Sequence, residues 1–332
     1  MKKGLNRYEY FLEQLELLLQ KSSAEENPAW WLYKNNARTP LFMLEALSRI
    51  YVEILEKKPF KKFKAQFKSF EDAIGRIDMY DGFANEFSQK PAIYDHVKEY
   101  FYKKTEAHVD NLNEMLLQEG WLNADGKRIK KIRKKLNKID WLNDKKEIKA
   151  IHFFYETAIE EIKSFFDKHK NGFTDLEDQL HEIRRLLRWL SINAHALRGA
   201  VQLIDSGFNN SLTLNYITDA VEKSPYNKLP EVEDNRYVVL LDKTVFLTMS
   251  GLIDQLGTFK DNGLRVMLLA EAIQQSRQVN SNLALLGAYE LLESDGDELQ
   301  KVLNNATSAC KPFFEDELLD KLLQGIGTAT DN

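Results

Sequence analysis

The sequence predicts an all-α protein, an internally duplicated, antiparallel bundle of long helices. Three observations carry this. Gly and Pro together number 22 of 332 residues, about 7% against a usual ~12%, so turns are few. Leu (46) outnumbers Val (12) nearly four to one, which favours helix over sheet. Apolar residues recur with the 3.6-residue period, and no stretch alternates with period two for long enough to make a confident strand.

The first helix spans residues 5–21. Its leucine-rich run follows two lysines like a secretory leader, but Glu13 and Glu16 interrupt it and no small-residue cleavage site follows, so it belongs to the mature protein. Helices follow at 28–57 and 60–88; in the latter Phe60, Phe63, Phe67 and Phe70 recur at spacings of 3, 4 and 3 and read as core rather than as a base-stacking platform. The next spans 91–118, and then 127–138, where Ile129, Ile132 and Leu136 share one face and eight basic side chains occupy the rest. Helices at 145–170 and 174–205 precede an irregular stretch, 205–235, that holds Gly207, Asn209, Asn210, Pro225 and Pro230. Residues 237–241 are the nearest strand candidate, yet the following Asp-Lys and helical pattern favour the start of a helix over 236–256. The last helices span 262–278, 280–293 and 296–324, the final one broken at Pro312.

Turns at 123–126 and at Asn171-Gly172 offer two places to divide the chain, and we take residues 1–125 and 126–332 as its two halves. An internal echo supports a duplication. In FEDAIGRIDMYDGFANEF (70–87) and LIDQLGTFKDNGLRVMLLAEAI (252–273), an apolar residue precedes a helical Gly and an Asp follows: Ile74-Gly75 with Asp78 or Asp81, and Leu256-Gly257 with Asp261. Such a Gly marks close helix approach or a break, since in mid-helix it otherwise costs about 1 kcal/mol.

The charge balance, 46 basic against 51 acidic side chains, gives −5 and excludes both a disordered polyelectrolyte and a uniformly basic nucleic-acid coat. It is a sum over segregated regions. Residues 57–68 hold six lysines and no acid, residues 127–138 eight basic groups and no acid, and residues 290–321 nine acids against three bases. The single cysteine, Cys310, excludes a disulfide framework and a cysteine-based zinc cluster. With mean hydropathy −0.45 and no run of 18 apolar residues, no segment can span a bilayer. The expectation is a soluble cytoplasmic protein without a membrane partner.

The densest candidate site is HEIRRLLRWLSINAHALR, residues 181–198. At helical pitch His181, Arg184, Arg185, Arg188, His195 and Arg198 share an arc of about 140°, extending about 25 Å along the axis. Guanidinium forks bind phosphate oxygens bidentately, and histidine adds a donor whose charge is tunable near neutral pH. The plain alternative is a solvated helix face paired with acids such as Glu177 and Glu182. Catalytic signals are weak. His152, Glu156 and Glu160 at helical spacing allow a metal-dependent hydrolase to be drawn, but a second Glu-x-x-His pair is absent, and no phosphate-binding loop, nucleophile elbow or dinucleotide fingerprint occurs. We expect no catalysis, no cofactor and no metal.

The pattern of His181, Arg184, Arg188 and Leu190, followed by Leu256, Gly257 and Asp261, resembles the CHAD family, conserved histidine α-helical domains built of two pseudo-symmetric helical halves. The first half is similar at Ile74-Gly75 and Asp81 and keeps Arg38 and Arg49, with Asn35 in place of a histidine and Met79 in place of an aspartate; Trp189 and Ser191 replace two basic positions in the second. The resemblance covers about residues 28–310. It implies a helical domain that binds inorganic polyphosphate or another phosphate-rich polyanion in a basic cavity without catalysis, with His181, Arg184, Arg185, Arg188, His195, Arg198, Arg38 and Arg49 as its contacts. The competing expectation, motivated by the degenerate first half and the acidic C-terminal stretch, is a protein-interaction scaffold that has kept the fold and lost the ligand.

Overall fold

The computed structural model describes residues 2–56, 58–122, 126–208, 210–232, 235–294 and 296–328. Helix makes up 74% of it. The chain forms two compact units, residues 1–142 with 269–284 and residues 143–268 with 285–332. The expected turn at 123–126 lies, apart from Gly126, outside the described residues, as do Lys57 and Asn209.

The first unit contains α1 (Lys3–Ser22), α2 (Pro28–Lys34), α3 (Arg38–Leu55), α4 (Lys58–Ser88), α5 (Asp95–Gln118) and α6 (Lys127–Leu136). The segment expected as one helix over 28–57 is two, because Asn36 takes a left-handed conformation, φ 57°, between them. The Asn27 side chain accepts from the Trp30 amide and Pro28 opens the first turn of α2, both start signals for a helix. Phe60, Phe63, Phe67 and Phe70 are all buried, each contributing about 2–3 kcal/mol of burial. They pack in an aromatic core with Tyr8, Tyr51, Trp121 and Trp141: Tyr8 stacks on Phe60 at 5.9 Å and Phe70 lies 5.1 Å from Trp121, centroid to centroid.

The second unit opens with α7 (Asp144–His169), capped by the Asn143 side chain, and a π-helical turn, Leu176–His181, leading into α8 (Glu182–Ala196). Here the expected helix over 174–205 ends early. Arg198 (φ 43°) and Gly199 (φ 79°) are left-handed, and the chain leaves as β1 (Val201–Ile204). After the short α9 (Asp219–Lys223) comes β2 (Tyr237–Asp242), so residues 237–241 are a strand and not the start of a helix. β1 and β2 are parallel, and β2 pairs antiparallel with β3 (Leu323–Thr328), a segment expected to end in helix. The β-branched and aromatic residues of β2 suit a strand, but its partners lie far away in the chain, where a local periodicity cannot see them.

The helices expected at 236–256 and 262–278 are one, α10 (Lys243–Arg277), begun by the buried Asp242 side chain, which accepts from the Val245 amide at 2.7 Å. Its last turns belong to the first unit, as does the start of α11 (Ser281–Leu291). Helix α12 (Glu298–Glu315) contains Pro312 without breaking there. Among the described residues no helix is long and apolar enough to cross a membrane.

Candidate functional site

In the second unit, α8 carries the basic face. His181 Nδ1 lies 3.2 Å from a Glu177 carboxylate oxygen, and the imidazole holds that carboxyl below the usual range. Arg185 makes a two-pronged pair with Glu182, at 2.7 and 2.6 Å. His195 Nε2 is 2.8 Å from the Tyr226 carbonyl oxygen. Arg188 also has a partner within the chain. Arg198, placed by the sequence on the same helical face, lies beyond the end of α8 because the helix stops before it. The acids considered as plain partners, Glu177 and Glu182, are thus the ones engaged.

Arg184 differs from these. Its guanidinium is part-buried and lies across α10, where Nε donates to the Ile253 carbonyl oxygen at 3.2 Å. A methyl group at Gly257 would come within 3.1 Å of Nε and of a terminal nitrogen, so the Gly makes room for the fork. Among the described residues no carboxylate lies within ion-pairing distance of it. Burial pushes the Arg184 pKa down, and Asp261 and Asp254 oppose this through space. Lys260, with 17% of its side chain exposed, sits 3.3 Å from Asp261 and acts electrostatically on Glu177. Sequence reasoning missed Lys260 and Asp254; the one signal for them was their position on the α10 turns beside Gly257.

The first unit has a matching device in a different electrical state. Arg38, at the start of α3, lies over Gly75 of α4, where a methyl group would come within 2.9 Å of Nη2. Here the fork is neutralised. It donates from Nε (2.8 Å) and Nη2 (2.5 Å) to Glu71 and from Nη1 to Asp78 (2.6 Å). Glu71 is buried, and burial holds its pKa above 4.5 despite Arg38. Asp81 accepts from the Tyr33 hydroxyl and from Lys34, both at 2.8 Å. Arg49 donates twice to the buried Glu45, at 2.9 and 2.6 Å. Both first-half candidates, Arg38 and Arg49, therefore serve as counter-ions of carboxylates.

The residues of the metal-hydrolase reading do not gather. His152 Nδ1 is 3.5 Å from Glu156, while Glu160 pairs with Lys163 at 3.0 Å, and among the described residues no three His, Cys, Asp or Glu side chains are placed to share an ion. A surface hollow of about 470 Å³ near the end of β1, lined by Asp205, Phe208, Glu222 and Thr244 among others, contains none of the basic face. Fold and site together define a mostly helical chain in which, among the described residues, an arginine lies over a helical glycine once in each unit. Comparison of the chain with protein-family models, with curated proteins and with solved structures finds no match.

Proposed function

We propose that the protein is a non-catalytic helical module that binds a phosphate-rich polyanion, inorganic polyphosphate being the type, through the second-unit face around Arg184. Its antiparallel helix pairs then descend from an internal duplication of the CHAD type, in which acids have closed the first copy and left the second open. The observation that carries this reading is Arg184. A part-buried guanidinium with one backbone partner retains several unused donors, and removing a cation from water without a counter-ion is costly. A phosphate would supply the charge that Glu71 and Asp78 supply to Arg38. His181 and Lys260 flank the position.

Titration of the purified chain with long-chain polyphosphate tests it. Binding at low salt that weakens steeply as salt rises is the expected result, and Arg184→Gln should weaken it at least about tenfold, since charge-assisted hydrogen bonds are worth about 1.5–3 kcal/mol. Absence of binding at low salt, or an unchanged affinity in that variant, overturns the proposal. A second reading, a scaffold that keeps the fold for protein partners, is favoured by the pairing of Arg38, Arg49 and Arg185 with carboxylates of the same chain. Under it, no phosphate polymer binds and a folded Arg184→Gln protein keeps its partners.

A further inference from the structure

Helix α6 presents a second basic surface, independent of Arg184. Its apolar residues Ile129, Ile132 and Leu136 are buried. Both of its arginines are used inside the unit: Arg128 donates to the Glu119 carbonyl and lies over the Trp121 ring, and Arg133 bridges Glu9 and Glu16 of α1 at 2.6 Å each. What faces outward is lysine. Lys130, Lys131, Lys134, Lys135 and Lys138 are exposed, and among the described residues none of their ammonium groups has an ion-pair or hydrogen-bond partner. Four of them, Lys130, Lys131, Lys134 and Lys135, fill an arc of about 140° over about 8 Å of α6, and Lys138 follows in the turn after its end.

The lysines of α6 form two ridges at i, i+4 spacing, 130/134 and 131/135, on either side of the helix crest. A single phosphate chain could run along one ridge. Two rows of phosphate facing each other across a groove would meet both. The major groove of B-form DNA, about 12 Å wide, admits a helix of this diameter. A flat anionic bilayer touches the crest and leaves the flanks remote, and α6 has no free apolar face to insert. With its arginines committed and the nearby Trp121 and Trp141 rings buried, the helix offers neither bidentate base contacts nor stacking, so the contact is to phosphate and independent of sequence.

We infer that the lysine face of α6 docks into the major groove of duplex DNA through backbone phosphates, a surface separate from the Arg184 site. The full chain is titrated against a fluorescent random-sequence duplex of about 30 base pairs over a salt series. Four or five phosphate contacts predict a slope of log K on log salt near −4. Combined Lys130→Gln, Lys131→Gln, Lys134→Gln and Lys135→Gln, all exposed and harmless to the core, should reduce that slope by about 3.5 and the affinity at least about a hundredfold at 0.1 M salt, with an unchanged circular dichroism melt. Arg184→Gln should leave duplex affinity unchanged, which separates this inference from the polyphosphate reading. No duplex binding at low salt, an unaltered slope in the quadruple variant, or tighter binding to phosphatidylserine vesicles, single-stranded DNA or linear polyphosphate through the same lysines overturns it.

Discussion

Replacing Arg38 by Met should destabilise the protein far more than replacing Arg184 by Met, although each arginine lies over a helical glycine. The difference is in what each leaves behind. Arg38 is the counter-ion of Glu71, whose side chain is 7% exposed, and removing one partner of a buried pair costs about 3–5 kcal/mol. Arg184 leaves no buried acid, because Asp254 and Asp261 are exposed; its loss forfeits about one hydrogen bond, about 1 kcal/mol. The expected gap is therefore about 2–4 kcal/mol. Urea unfolding at pH 7 measures it, and since Trp30, Trp31, Trp121 and Trp141 lie in the first unit against Trp189 in the second, fluorescence reports mainly on the unit that holds Arg38. The cost should also depend on pH. Glu71 has a folded pKa raised above 4.5, so its contribution is fully present below 4.5 and is lost as pH rises through the folded value. Arg38→Met raises that value further, so its cost shrinks as pH is lowered from 7 towards 4.5, and Glu71→Gln in the same background restores most of the loss. Equal costs for the two arginine variants at pH 7, or a cost for Arg38→Met that ignores pH, would refute the reasoning.

Gly4→Ala drives a methyl group into the Trp141 ring and to 2.6 Å from the Tyr51 hydroxyl, an overpacking cost of about 1–3 kcal/mol, whereas Gly82→Ala, in α4 with open space around it, should gain up to about 1 kcal/mol from helix propensity; thermal melts of the two variants should move in opposite directions. His108 stacks on Tyr80 at 5.1 Å, and burial, with help from Arg76 and Lys104, pushes its pKa below 6.5. Its neutral form stabilises the fold above pH 6.5, and that contribution is lost as pH falls through the folded value, so His108→Gln should flatten the acid side of the stability curve. Cys310 is buried and its thiol is held protonated by burial; a thiol reagent should react with it only after denaturant is added.

Much of the fold was legible in the sequence because its evidence is local. The phenylalanines at 60, 63, 67 and 70 are core because their spacing places them on one helix face, and Ile129, Ile132 and Leu136 on α6 are buried for the same reason. Gly75 and Gly257, read as points of close helix approach or a break, each lie under an arginine side chain within a continuous helix. What failed was non-local. Residues 237–241 became a strand because residues 201–204 and 323–328 supply its partners, and the helical phase assigned to Arg198 was lost when the chain left α8 at Gly199.

The sequence by itself determined the helical class, the buried aromatic face of α4 and the segregation of charge, since each follows from side-chain period and composition. Tertiary structure decided which cations are spent. Arg38 and Arg184 look alike along the chain, yet one meets Glu71 and Asp78 across a helix interface while the other meets the carbonyl of Ile253. Whether a positive charge is neutralised within the fold is set by the acids within about 4 Å of it, where Coulomb attraction outweighs screening, and for Arg38 those acids lie on another helix, α4.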